Sequence, residues 1–125
     1  MAQHGEVHWS ELISADVEAS KAYFQATCGW QIDEMPMPGG MVYSVCKVGD
    51  QPVAGIMGVN KDSEGPDNAP RWMTYIAVDD VDAAVEATAG NGGTVLSPPF
   101  DVPGVGRIAI IMDPGQAVVG IMTPA

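Results

Sequence analysis

Apolar residues along the chain fall into short runs. Between these runs lie two stretches in which one set of side chains recurs at helical spacing. The side chains at 17, 20 or 21, 24 and 28 share one helical face, as do those at 81, 84 or 85 and 88. Asp16 and Asp80 precede these stretches and are good N-caps, because a short carboxylate accepts from a free first-turn N–H. Glycine follows each stretch, at Gly29 and within 90–93. The pattern therefore predicts two helices.

The other apolar runs predict eight strands, and glycine-rich or proline-rich turns separate several of them. The turns are expected at Gly39-Gly40, at Gly49-Asp50 and at Asp113-Pro114-Gly115. The predicted strands are 7–13, 30–34, 41–48, 53–59, 72–78, 94–97, 105–112 and 117–122.

The two halves of the chain repeat each other at an offset of 64 residues. The segment 14–19 matches 78–83, and Gly29 falls on Gly93. Each half reads strand, helix and three strands, over about 5–60 and 71–124, and the polar stretch 61–70 links them. We predict one α+β domain, residues 1–125, in which two βαβββ units place most strands in one curved sheet.

Composition removes several classes of function. The chain has 125 residues, 46% of them apolar, and a net charge of −11. Five basic against 16 acidic residues leave no electrostatic footprint for nucleic acid or for an anionic membrane surface. Neither a membrane-spanning run nor an export signal is visible, so we expect a cytoplasmic protein. Cys28 and Cys46 are then expected to be small buried thiols.

The ordered motifs resemble the vicinal oxygen chelate superfamily of glyoxalase I, bleomycin-resistance proteins and extradiol dioxygenases. The resemblance covers nearly the whole chain and is most specific in YIAVDDVDA at 75–83, Gly92-Gly93, DVPGVGR at 101–107 and Asp113-Pro114. The first half looks most like the glyoxalase-like branch that includes mycobacterial secreted-antigen-like proteins. The resemblance implies a cupped mixed sheet, with helices on its convex side and a divalent metal in its concave face.

The residues at the implied ligand positions do not suit such a metal. The resemblance places one ligand on the first and the last strand of each unit, which here gives Trp9, Gly55 or Ile56, Met73 and Gly120. Hard or borderline divalent ions need oxygen or nitrogen ligands, and none of these side chains supplies one. A one-residue shift in the register of the first strand would place His8 at the implied ligand position. The same shift would turn the apolar neighbours of His8 to the wrong face of the sheet. We expect no metal and no other cofactor.

The alternation of strand residues predicts which side chains share a face, and the resemblance implies which face lines the cup. Trp9 and Glu11 share one face of the first strand, Met73 and Tyr75 share the matching face, and Leu12, Ile76 and Val78 would pack beneath the helices. An apolar pocket with one carboxylate is the usual form of a small-molecule site. Partial desolvation would raise the pKa of Glu11, and its charge would orient a cationic ligand. Alternatively, Glu11 simply accepts a hydrogen bond from Tyr75 and holds the units together.

Two further residues are candidates for the same site. Tyr43 could reach the cup from its strand, or it could only pack. Arg107 could clamp an anion through its forked guanidinium, or it could pair with the many carboxylates. The ligand-binding candidates are thus Trp9, Glu11, Tyr43, Met73, Tyr75 and Arg107.

Three functional hypotheses follow, and no catalytic residue is assigned. The preferred one is a metal-independent protein that binds a small molecule in the cup. The second is an enzyme, either metal-dependent with misplaced ligands or using Glu11 and Tyr75 for acid–base catalysis. The third is a non-catalytic protein whose dimer surface is its function. The resemblance also implies a homodimer.

Overall fold

The computed structural model describes residues 3–37, 40, 42–59 and 69–125. Over these residues the chain runs strand, helix and three strands, twice in succession, which confirms the α+β class and both βαβββ units. Most of the predicted linker, together with Gly39 and Met41, lies outside the described residues. The elements are β1 Val7–Ser14, α1 Val17–Cys28, β2 Gln31–Pro36, β3 Val42–Val48, β4 Gln51–Gly58, β5 Arg71–Ala77, α2 Val81–Gly90, β6 Thr94–Val102, β7 Gly106–Met112 and β8 Val118–Pro124.

The helices begin where their caps predict. The Asp16 carboxylate accepts from the backbone N–H of Ala19 at 3.1 Å, and the Asp80 carboxylate accepts from that of Ala83 at 3.2 Å. Gly29 ends α1 in the left-handed conformation, with a φ of 68° that favours glycine. Both helix positions are therefore set by local sequence signals. None of the described helices is long and apolar enough to cross a membrane.

The chain divides into two compact units. The first unit is Trp9–Trp72, and its strands follow the order β2-β3-β4-β1. β1 runs parallel to β4, whereas β2, β3 and β4 are antiparallel, so this sheet is mixed. Helix α1 packs Val17 and Phe24 on one face of the sheet, over a core of Leu12, Cys46, Ala54 and Ile56. The prediction that Leu12 packs beneath a helix is confirmed.

The second unit is Met73–Ala125 together with the residues before Trp9. Its strand order is β5-β8-β7-β6, with β5 parallel to β8 and the other pairs antiparallel. Helix α2 covers one face through Val81, and Ala109 and Ile121 complete that core, against which Ile76 and Val78 pack as predicted. Each unit thus has one face under its helix and one face that its own helix does not cover.

The predicted end of the sixth strand at residue 97 is wrong. β6 continues to Val102 through Pro98 and Pro99. Proline cannot donate to a ladder and is tolerated on edge strands and at bulges. β6 is last in the strand order, and its pairing with β7 shifts register between Ser97 and Phe100. The edge position and the bulge together accommodate the two prolines.

Candidate functional site

Three predicted residues come together on the first unit's sheet. Because Leu12 faces α1 and strand residues alternate, Trp9 and Glu11 lie on the face that α1 does not cover. Glu11 pairs with Gly55 of β4 in the parallel register. Tyr43 reaches the same place from β3, where Val45 pairs with Gly55. We call Trp9, Glu11, Tyr43 and Gly55 the Glu11 cluster.

Hydrogen bonds connect the three polar side chains of the Glu11 cluster. The indole N–H of Trp9 donates to the Tyr43 hydroxyl oxygen at 2.9 Å. That hydroxyl in turn donates to Oε2 of Glu11 at 3.5 Å. Glu11 is only 8% exposed. Carboxylates are seldom buried unless they are hydrogen-bonded or paired. The cluster therefore holds the Glu11 carboxylate, a hydrogen-bond acceptor, in a buried position beside the Tyr43 hydroxyl.

Gly55 makes room for Tyr43. A Cβ atom at this position would collide with the hydroxyl oxygen and two ring carbons of Tyr43. A glycine inside a strand often marks such a close approach. The sequence contained this signal, but without the β3–β4 register it did not show which side chain approaches.

The second unit also has a tyrosine against a glycine, but here the tyrosine is on the parallel neighbour strand. Tyr75 pairs with Gly120 in the parallel register of β5 and β8, and a Cβ at Gly120 would collide with the Tyr75 ring. Met73 lies two residues earlier on the same face and is 2% exposed, while Tyr75 is 9% exposed. Both residues are buried in the described structure, and their role in ligand binding stays a prediction.

Arg107 lies on the other face of the second unit's sheet, the one that α2 covers. Its guanidinium donates to the carboxylate of Asp82 at 2.8 and 3.0 Å and to that of Asp101 at 3.1 Å. The hydrogen bonds from Arg107 hold the pKa of Asp82 below its usual value, and they raise the pKa of Arg107 itself. Arg107 is thus not brought together with Tyr75. Its use as an anion clamp stays a prediction that requires both carboxylates to be displaced.

The implied metal positions do not fit a metal in this structure. Trp9 and Met73 supply no suitable donor, and Gly55 and Gly120 supply none and are covered by tyrosine rings. Among the described residues no group of three or more His, Cys, Asp or Glu side chains is placed to hold an ion.

The remaining polar candidates lie elsewhere. His4 and His8 both border a cavity of about 330 Å³ in the second unit, and the Nδ1 atom of His4 accepts from the backbone N–H of Asp79 at 2.9 Å. Cys46 is buried, and that burial raises the pKa of its thiol. Cys28 is exposed at the end of α1, so the prediction that both thiols are buried is wrong for Cys28. Cys28 is the last residue of α1, and the helix ends beside it at Gly29.

Comparisons with known proteins agree with the fold and with the resemblance. A family model described as the Glyoxalase/Bleomycin resistance protein/Dioxygenase superfamily matches residues 6–121. CFP32 of Mycobacterium tuberculosis, provisionally named a glyoxylase, is 39% identical over 121 residues, which are 95% of this chain and 46% of that protein. The anthracycline biosynthesis protein DnrV of Streptomyces peucetius is 31% identical over 127 residues, 94% of this chain and 46% of that protein.

Solved structures show the same fold at low sequence identity. Methylmalonyl-CoA epimerase from Mycobacterium tuberculosis superposes with a TM-score of 0.67 at 17% identity, over 100% of this chain and 93% of that one. A hypothetical protein from Bacillus halodurans superposes with a TM-score of 0.72 at 8% identity, over 98% and 96% of the two chains. The chain spans about half the length of the curated relatives that it matches.

Proposed function

Because the chain belongs to the Glyoxalase/Bleomycin resistance protein/Dioxygenase superfamily, we propose that it binds a small organic molecule at the Glu11 cluster without a bound metal. The observation that carries this proposal is the buried Glu11 carboxylate, which is hydrogen-bonded by Tyr43 on a sheet face that α1 leaves uncovered. Concave apolar sites with a few placed polar groups are the usual form of small-molecule sites. The two curated relatives carry names connected with small-molecule chemistry, which is consistent with this function.

The chemistry of Glu11 favours a ligand that carries a cationic or hydrogen-bond-donating group. An ionised carboxylate is an acceptor only, so the group it meets has to donate. The net charge of −11 adds long-range attraction for cations, which speeds encounter more than it adds affinity. Both effects favour an amine or ammonium over a carboxylic acid.

A pair of matched probes tests this proposal. Isotope-labelled protein is titrated with n-butylammonium chloride and, separately, with sodium butyrate, while the Trp9 indole N–H resonance is followed by NMR. We expect a saturating shift with the ammonium ion and none with butyrate, and we expect Glu11→Gln to abolish the response. A response to butyrate, or an unchanged response in the Glu11→Gln protein, would contradict the proposal.

The second candidate function is metal-free acid–base catalysis. The specific observation in its favour is that a proton donor, the Tyr43 hydroxyl, lies 3.5 Å from the Glu11 carboxylate. Such a pair can remove a proton from a bound substrate and return one to it. Incorporation of solvent deuterium into a bound ligand, lost in the Glu11→Gln protein, would move this candidate to first place.

The assembly and the location are also proposals. We propose a homodimer, because the resemblance implies one and closed twofold pairs are the commonest assembly of soluble oligomers. Sedimentation of the purified protein at twice the mass of one chain is the expected result, and a single-chain mass would contradict it. A cytoplasmic location with no nucleic-acid or membrane partner is proposed from the composition and the charge.

A further inference from the structure

The hydrogen bonds of the Glu11 cluster have a fixed direction. An indole N–H can only donate, so the Tyr43 oxygen is the acceptor in the 2.9 Å contact with Trp9. The Tyr43 hydroxyl has one proton, and it is placed to donate that proton to Oε2 of Glu11 at 3.5 Å. The order is therefore Trp9 to Tyr43 to Glu11, and the carboxylate is at the accepting end.

Gly55 fixes where this chain of hydrogen bonds runs. It pairs with Glu11 across β1 and β4, and the Tyr43 hydroxyl occupies the space that a side chain at Gly55 would need. An added methyl group would displace the hydroxyl from this position and away from Trp9 and Glu11. The glycine and the tyrosine thus act as one unit, with the ring on β3 and the space for it on β4.

We propose that Tyr43 is a positioning residue that orients the Glu11 carboxylate for the ligand. Donation from Tyr43 to Oε2 of Glu11 holds one oxygen of the carboxylate in place. This inference rests on the proposed function, in which Glu11 holds the ligand, and it names the residue that sets the direction of that contact. Tyr43 therefore acts on the ligand through Glu11, and the hydrogen bond from Trp9 holds the Tyr43 hydroxyl in place.

A double-substitution experiment on the Trp9 indole N–H resonance tests this role without any ligand. Glu11→Gln is compared with the unsubstituted protein, once with Tyr43 present and once in the Tyr43→Phe background, and Trp9→Phe assigns the signal. We expect Glu11→Gln to shift the resonance only when the Tyr43 hydroxyl is present. An equal shift in both backgrounds would overturn the proposal, because the two ends would then communicate without Tyr43.

Two glycines of β4 provide a matched control. Gly55→Ala should disturb the Trp9 resonance as Tyr43→Phe does, whereas a Cβ at Gly58 comes no closer than 3.6 Å to Val17, so Gly58→Ala should leave the resonance in place. Should Gly55→Ala fail to fold, Tyr43→Phe decides alone, since it keeps the ring. Equal effects of the two glycine substitutions would contradict the assigned role of Gly55.

The affinity for n-butylammonium links the inference to the ligand. Tyr43→Phe should weaken this affinity by up to about tenfold, the scale of one hydrogen bond, while the folded amide spectrum is retained. Unchanged affinity would overturn the positioning role. If the Trp9 coupling depends on Tyr43 but no probe binds the unsubstituted protein, the proposed function fails and the orientation of Glu11 stands, so the two failures are distinguishable.

Discussion

Tyr43 and Tyr75 each lie against a glycine of a neighbouring strand, in different units of the chain. The glycines, Gly55 and Gly120, occupy matching places, because the first partners Glu11 and the second partners Tyr75 in the parallel strand pairs. Glu11 and Tyr75 are themselves 64 residues apart, the offset of the internal repeat. Gly55, one of the two implied ligand positions on the last strand of the first unit, and Gly120 therefore supply no side chain that could hold a metal.

Gly120 offers a direct test of this packing. A Cβ there would meet the Tyr75 ring, so Gly120→Ala should lower the free energy of unfolding by about 1–3 kcal/mol, as overpacking of a tight core does. Gly90→Ala is the control, because no atom lies within 4 Å of its added Cβ and its effect should be neutral or slightly stabilising. Denaturant unfolding of both proteins gives the comparison, and equal values would contradict the tight contact.

Arg107 makes a pH-dependent contribution to stability through Asp82. Its hydrogen bonds lower the pKa of Asp82 from the usual value of 3.8, so the contribution is present above that value and is lost as the pH falls through the lower folded-state value. Arg107→Gln should therefore lower the melting temperature at neutral pH, and this difference should shrink at pH values well below 3.8. The difference should shrink less in an Asp82→Asn background, where Asp101 is the carboxylate that still pairs with Arg107. Because these groups are exposed, we expect a small effect.

At the scale of elements, the helix caps show how far local signals reach. Asp80→Ala should cost about 1 kcal/mol of unfolding free energy, because it removes the bond to the N–H of Ala83. Asp79, the neighbouring residue, is the matched control, since its own carboxylate is 86% exposed and does not cap α2. Asp79→Ala should change the stability much less when both proteins are unfolded by urea. Equal losses would show that the cap does not hold the helix start.

Local signals predicted the helices and most strands, whereas long-range register decided the rest. Asp16, Asp80 and Gly29 act within a few residues of their own positions, so the sequence showed their roles. Pro98 and Pro99 were misread because only the edge position of β6 makes them compatible with a strand. The contact of Tyr43 with Trp9 joins residues 34 positions apart, and the sequence could not show that it passes over Gly55.

At the scale of the whole molecule, membership in the superfamily has to be set beside the residues at the implied metal-ligand positions. The family model covers residues 6–121, so all four implied ligand positions lie within the matched segment. In these positions two glycines sit under tyrosine rings and the other two residues are Trp9 and Met73. A fold can keep its architecture while a site on it changes, so membership alone does not decide the chemistry.

A calorimetric titration of chelator-treated protein with nickel, cobalt, zinc, manganese and iron(II) tests whether the chain binds a metal, as the resemblance implies, or binds none, as we propose. We expect no stoichiometric binding by any of these ions, because the oxygen and nitrogen donors that they need are missing from the implied positions. The Glu11→Gln protein serves as the reference, since it removes the one carboxylate in the Glu11 cluster. Tight one-to-one binding that Glu11→Gln abolishes would overturn the metal-free proposal and make Glu11 a ligand. Binding that survives Glu11→Gln but is lost in a His8→Ala protein would instead place the ion beside the histidines of the second unit.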